Sequence, residues 1–172
     1  MNEARVYGFE IDLRKKLDFI SSLHNLKIGI NFTYVYSEVS IDSLELVSIR
    51  ATDPNAKDTK PMSGQSPYIV NASIGYQNTE IGLDINAVYN AAGPKLIINV
   101  KGGTPDIYQQ PYNSLNFVAF KTLSKYFILS FKAINLLNPL YKQTYTYNGE
   151  EYISRQYTRG RVFELGIKYA IK

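Results

Sequence analysis

RVFELGIKYAIK, residues 161–172, alternates from Phe163 to the end. Phe163, Leu165, Ile167, Tyr169 and Ile171 fall on one side; Glu164, Gly166, Lys168, Ala170 and Lys172 fall on the other. Successive side chains of an extended chain point to opposite faces. The stretch is therefore a β-strand with one apolar face and one polar or small face. Val162 to Ile171 spans ten residues, within the roughly 9–11 that a tilted strand needs to cross a bilayer. The pattern itself leaves open whether the apolar face meets a protein core or lipid.

The same period recurs upstream. Tyr7, Phe9, Ile11 and Leu13 alternate with Gly8, Glu10, Asp12 and Arg14; a cleaner run extends from Leu26 to Ser37. Further strands are expected at Tyr68–Gln77, Ile81–Asn90, Ser114–Leu123 and Phe127–Ile134. Gly93-Pro94 is expected to be a bulge, with Leu96–Val100 continuing the strand beyond it. Residues 20–25, 78–80 and 124–125 are short turns. Residues 42–65, 101–112 and 140–157 are long connections rich in Pro, Gly, Asp and Ser or in Tyr. Asn148-Gly149 is a type I′ hairpin signal, so the third long connection is expected to carry a small ribbon of its own. No segment has a helical pattern. The fold expected is all-β: a single domain over residues 1–172, an antiparallel up-and-down meander of about seven strands.

Composition narrows the function. The 172 residues are 45% hydrophobic and 20% charged, which excludes a disordered tail. The 15 tyrosines suit pleated surfaces and also membrane interfaces. The net charge of +4 is spread without a cluster larger than Arg14-Lys15-Lys16, so nucleic acid is not an expected partner. Absence of cysteine removes disulfides and thiol chemistry. No apolar run approaches the length of a membrane helix. MNEARVYGFEID has no basic region followed by an apolar stretch, so no signal peptide is expected in these residues.

Two readings of the apolar faces compete. A soluble sandwich or barrel accounts for the alternation. A membrane barrel also accounts for three further features. The connections alternate strictly between short and long, as when all turns lie on one side of a bilayer. The opposite faces carry Gly, Ser, Asn, Thr and Asp more than Lys and Glu, suiting a crowded hydrated lumen. Tyr68 and Tyr76 cap the two ends of one apolar face, as interfacial girdles do. Lipid is the better-supported neighbour. Seven strands with free edges cannot stand alone in lipid, where unpaired backbone groups are forbidden. The expectation is part of a larger barrel.

The order MSGQSPYIVNASIGYQ, PDIYQQPYNSLNF, KAINLLNPLY and YTRGRVFELGIKY resembles the C-terminal end of TonB-dependent outer-membrane receptors. The resemblance covers essentially the whole chain and includes the Asn-Leu-Leu-Asn-Pro-x-Tyr element at Asn135–Tyr141 and the Gly160-Arg161 strand start. It implies the last seven strands of a 22-stranded barrel in a Gram-negative outer membrane. It implies uptake of a scarce nutrient (iron-siderophore, cobalamin or oligosaccharide) energised through TonB. Implied partners are outer-membrane lipid, the remaining strands and plug of the same receptor, the TonB system and the barrel-assembly machinery. The plug and TonB-contacting box are not in these residues. Family chains end in an aromatic, usually Phe, whereas this one ends Ile171-Lys172. The alternative is a soluble or surface-exposed β-sheet module binding a glycan or protein; an outer-membrane phospholipase is a distant third.

No catalytic constellation stands up, so the chain is not expected to be an enzyme, and no cofactor or metal is expected. His24 lies in a turn with no nucleophile near it in sequence. Glu10 and Asp12 share a face and are better read as hydrated lumen charges. Gly102-Gly103 lacks the Lys-Ser/Thr of a phosphate loop, and Asp53, Asp58 and Asp106 match no calcium-loop spacing. The candidate ligand contacts are Tyr145, Tyr147, Tyr152, Arg155, Tyr157 and Arg159, which combine aromatic faces with cationic forks. Phe163, Leu165, Ile167, Tyr169 and Ile171 are the candidate lipid-facing residues of the terminal strand.

Overall fold

The computed structural model describes residues 3–20 and 24–169. Seven long strands form one antiparallel up-and-down sheet: β1 (Ala4–Lys16), β2 (Leu26–Ser40), β4 (Tyr68–Asn78), β5 (Leu83–Ala92), β8 (Tyr112–Thr122), β9 (Phe127–Ile134) and β12 (Val162–Tyr169), in that spatial order. A two-residue strand, β3 (Thr59–Lys60), pairs with the end of β2. The sheet is not closed, and β1 and β12 are its edges. Ile171 lies outside the described residues.

A second, four-stranded sheet contains β6 (Lys95–Ile98), β7 (Ile107–Gln109), β10 (Leu140–Tyr147) and β11 (Glu150–Thr158) in the order β11-β10-β7-β6. Its strands continue those of the large sheet: β5 runs on to β6, β7 to β8, β9 to β10 and β11 to β12. Three of the four breaks carry proline, at Pro94, Pro111 and Pro139, each removing a ladder donor. The fourth carries Gly160 at φ 79°. Gly93-Pro94 is thus a break between sheets, not the bulge expected. A Cβ on Gly93 would stand 2.7 Å from the Tyr68 ring, and the Gly93 amide donates to the Tyr68 carbonyl at 2.9 Å. The chain turns there because that carbonyl takes its last donor.

Residues 43–50 also depart from expectation. They form a helix, α1 (Ser43–Arg50), inside the first long connection. Asp42 caps it by accepting from the Leu44 amide at 2.9 Å. Arg50, in its last turn, donates from Nε to the Ala56 carbonyl at 3.1 Å.

Register makes the apolar face continuous. Ile30 sits beside Leu13 and Ala72, Tyr89 beside Ala72 and Leu115, and Leu165 beside Phe131. Rings meet across strands: Tyr7 stacks on Tyr36 at 4.9 Å, and Phe131 on Phe163 at 6.4 Å. This face is exposed, as is the opposite face along the edges of the sheet, where every residue of β1 and all of β12 but Gly166 are exposed. Phe163, Leu165 and Ile167 are 61, 78 and 73% exposed. A water-soluble domain of this size would bury a sizeable core. Among the described residues only Leu96 and Ala133 are buried apolar side chains.

The opposite face is polar and hollowed. Asn71 donates to Asn31 at 3.2 Å, Asn31 donates to Glu10, and Lys132 pairs with Glu164 at 3.2 Å. Hollows of about 380 Å³ beside Asn31, Asn71 and Ser73, and about 280 Å³ beside Asn116 and Lys132, open on this side.

The turn rim runs obliquely. The ladder row through Lys16, the last residue of β1, passes Lys27, Gly75, Asn86, Val118 and Lys132 to Glu164, five residues before β12 ends. At about 3.3 Å per residue against about 4.8 Å per strand step, the strands tilt roughly 30° from the rim normal.

Candidate functional site

The candidate contacts lie on the β10–β11 hairpin. Asn148 at φ 52° and Gly149 at φ 81° form the expected tight turn, with Tyr147 opposite Glu150. The register shifts between Gln143 and Thr144, which oppose Arg155 and Ile153 and leave Ser154 as the extra residue. This bulge brings Tyr152 and Arg155, an odd number apart, onto one face. Tyr145 stacks on Tyr152 at 5.5 Å, Tyr141 meets Tyr157 at 4.8 Å, and the Arg155 guanidinium lies 5.0 Å over the Tyr157 ring. Arg159 lies 5.1 Å from the Tyr141 ring and 5.3 Å from that of Tyr112. Tyr112 shares the parity of Ser114 and Asn116, so the cluster joins the polar face of the large sheet.

Five of the six candidates thus meet in one aromatic-cationic strip. Tyr147 does not: it lines a separate hollow of about 210 Å³ with Ile49, Asp53 and Tyr108. Tyr112, Tyr141 and Gln109 were not foreseen, although Tyr141 donates to Gln109 at 2.9 Å and anchors the strip. The sequence signal was the repeated Tyr at alternate positions of β10, which begins one residue before Tyr141. Among the described residues neither Arg155 nor Arg159 has a carboxylate partner. Chemically the strip offers ring faces and guanidinium edges, with no nucleophile–base pair.

On the other side of the hairpin, Glu151 accepts from Lys142 at 2.7 Å and Thr144 at 3.3 Å. The Lys142 bond, helped by its charge and by Thr144, holds the Glu151 carboxyl below the usual carboxylate range. Because the folded value is depressed, the contribution to stability is complete above the unfolded pKa and is lost as pH falls through the lower folded value. Lys142→Gln is expected to raise the Glu151 titration midpoint, read by carboxyl-carbon NMR.

The remaining candidates resolve into structure. Asp12 holds Arg14 through two bonds of 3.0 and 2.9 Å, and His24 Nε2 lies 3.1 Å from Asn25 Nδ2. Asp106 faces Lys60 at 3.6 Å and accepts from the Val100 amide at 2.8 Å; Lys60 also pairs with Glu45 at 3.1 Å. Burial first, then the Asp106 charge, push the nearby Tyr108 phenol above its ordinary value. Among the described residues no three or more His, Asp and Glu side chains gather to hold a metal ion. Lys60 ties α1, β3 and the second long connection together. Lys60→Met leaves two half-buried carboxylates facing each other and is expected to cost about 2 kcal/mol in denaturant unfolding, below the fully buried range because water reaches the site.

The fold defines the class: an all-β protein of antiparallel up-and-down sheets. Comparison with protein families, with curated proteins and with solved structures finds no match to the chain.

Proposed function

We propose that the chain is the C-terminal wall of a transmembrane β-barrel, the last seven of 22 strands of a TonB-dependent receptor that imports a scarce nutrient across a Gram-negative outer membrane. The observation that carries this is the sheet itself, a single layer whose continuous apolar face is left uncovered while the polar face lines hollows. Lipid is the solvent that makes such a face favourable. Tyr68 and Tyr76 lie about 26 Å apart along β4, which matches an apolar band between two aromatic girdles once tilt is allowed for. A tilt near 30° lies just below the roughly 35–45° typical of closed barrels. The two free edges and the odd strand count call for further strands of the same receptor.

The two family-like elements also touch. Asn135 donates from Nδ2 to the Gly160 carbonyl at 2.6 Å, the Gly160 amide donates to Asn138 at 2.9 Å, and Arg161 donates from Nε to the Leu136 carbonyl at 2.7 Å. They form one knuckle where the wall leaves the large sheet. Above it, the strip of Tyr112, Tyr141, Tyr145, Tyr152, Tyr157, Arg155 and Arg159 meets incoming nutrient from outside. The lumen takes the plug, a segment beyond these residues contacts TonB, and the assembly machinery inserts the barrel.

Two measurements test this reading. By itself the chain should not fold as a monomer in detergent-free buffer; a folded monomer there sinks the proposal. The genomic reading frame should encode a plug and a signal peptide upstream of Met1; their absence sinks the receptor assignment.

A further inference from the structure

The apolar face ends in cations at the short-turn side. Lys15 shares the parity of Ile11 and Leu13, stands beside Ile28, and its ammonium lies 5.5 Å over the Phe19 ring. Lys121 shares the parity of Phe117 and Ala119, and its ammonium donates to the Ile81 carbonyl in the next turn. Lys125, in the turn between β8 and β9, lies 4.9 Å over the Tyr126 ring, itself 6.2 Å from Tyr169. Among the described residues none of the three has a carboxylate within salt-bridge distance. Asp18 and Glu80 lie exposed in the turns of this rim, and neither forms an ion pair with Lys15, Lys121 or Lys125. On the opposite face Arg14 pairs with Asp12 and Lys132 with Glu164, and Lys27 donates to the Gln77 amide; among the described residues Lys16, Lys27 and Lys168 have no ion pair there, so what sets the rim lysines apart is their place at the edge of the apolar face.

We infer that this rim binds anionic phospholipid headgroups, with Lys15, Lys121 and Lys125 as the contacts. The assignment rests on the lipid-facing reading of the sheet. Lysine stems can lie along apolar surface while the ammonium reaches the headgroup layer. Aromatic rings at the same level fill the boundary between acyl chains and water. A basic residue at an anionic membrane surface attracts it by about fivefold in affinity. The partner is fixed by two features together: positive charge without a carboxylate counterpart, and its continuity with an apolar face that already calls for acyl chains.

The test uses the complete barrel that carries this chain, diluted from urea into vesicles and measured by co-sedimentation. One set is phosphatidylcholine alone; the other contains about one third phosphatidylglycerol. The variants are Lys15→Gln/Lys121→Gln/Lys125→Gln and an opposite-face control with the same charge loss, Lys27→Gln/Lys132→Gln/Lys168→Gln. The native chain should bind both vesicle types and prefer the anionic ones. The rim variant should lose that preference by about tenfold or more, while the control retains it. Equal binding to both vesicles, or equal loss in both variants, overturns the rim assignment and leaves the lipid-facing reading intact. No binding to either vesicle overturns both.

Discussion

Ile30→Arg is expected to destabilise the lipid-inserted protein by about 2–4 kcal/mol, the cost of a cation at the bilayer midplane of a barrel wall. Ile30 is the residue to choose because of its depth. Its ladder partner Ala72 lies midway between Tyr68 and Tyr76 on β4, and Ile30 itself is about half exposed on the apolar face. The measurement is urea unfolding of the complete barrel in vesicles, followed by circular dichroism. The three environments give separable results. Facing lipid, the arginine shifts the equilibrium by a factor of roughly 30 or more. Facing water, a surface substitution stays within about 0.5 kcal/mol. Facing a soluble core, the variant is destabilised to the same degree with detergent or lipid absent. Only the first result, confined to the membrane-inserted state, supports the lipid-facing sheet. A rim substitution such as Tyr76→Arg should cost less than Ile30→Arg, because the penalty falls toward the interface.

What the sequence disclosed follows from where each signal lives. The seven strands of the large sheet write themselves as period-two alternation because one face is uniformly apolar and the other polar. Phe127–Ile134 matches β9 residue for residue. The ends of β5 and β8 shift by a residue or two, because the break at Gly93-Pro94 and the start at Tyr112 depend on neighbouring strands. Helix α1 was missed because its apolar Leu44 and Val47 are exposed and none of its residues is buried. Without a buried stripe there is no helical hydrophobic period to find; the cap at Asp42 was the surviving signal. The Lys60 network joins residues 15 and 46 positions from Lys60, so no local pattern announces it. The tyrosine–arginine strip was half visible. Asn148-Gly149 revealed the hairpin, and alternate tyrosines marked β10. Whether Tyr152 and Arg155 share a face depends on the unpaired Ser154, and periodicity cannot place a bulge. Tyr112 joins the strip only because two strands break at the same level.

Asn135→Ala is expected to cost about 3 kcal/mol and to loosen the junction between the two sheets. Asn135 is 8% exposed and sits at φ 58°, in the left-handed region. Asparagine tolerates that region; a residue with an ordinary Cβ and no local hydrogen bond pays about 1–2 kcal/mol there. The side chain also donates to the Gly160 carbonyl at 2.6 Å. Its loss leaves the half-buried Gly160 carbonyl unpaired, at the lower end of about 1–3 kcal/mol because water can reach it. Asn135→Gly separates the two costs, since glycine accepts the backbone geometry but cannot supply the bond. The glycine variant should therefore be destabilised by less than the alanine variant, and the difference reports the backbone strain. Equal losses would mean that the φ value carries no penalty and that the hydrogen bond alone holds the knuckle. Hydrogen exchange locates the effect. The Gly160 amide, held by Asn138 at 2.9 Å, and the Asn135 amide, held by Asn116 at 2.9 Å, should exchange faster in both variants. Amides in the middle of β4, which pairs only with β2 and β5, should not. A loss of protection spread evenly over the large sheet would show that the knuckle is not a separate unit. The Asn135–Tyr141 element and Gly160-Arg161 would then meet as a passive consequence of strand pairing, with no local hydrogen-bond network holding them together.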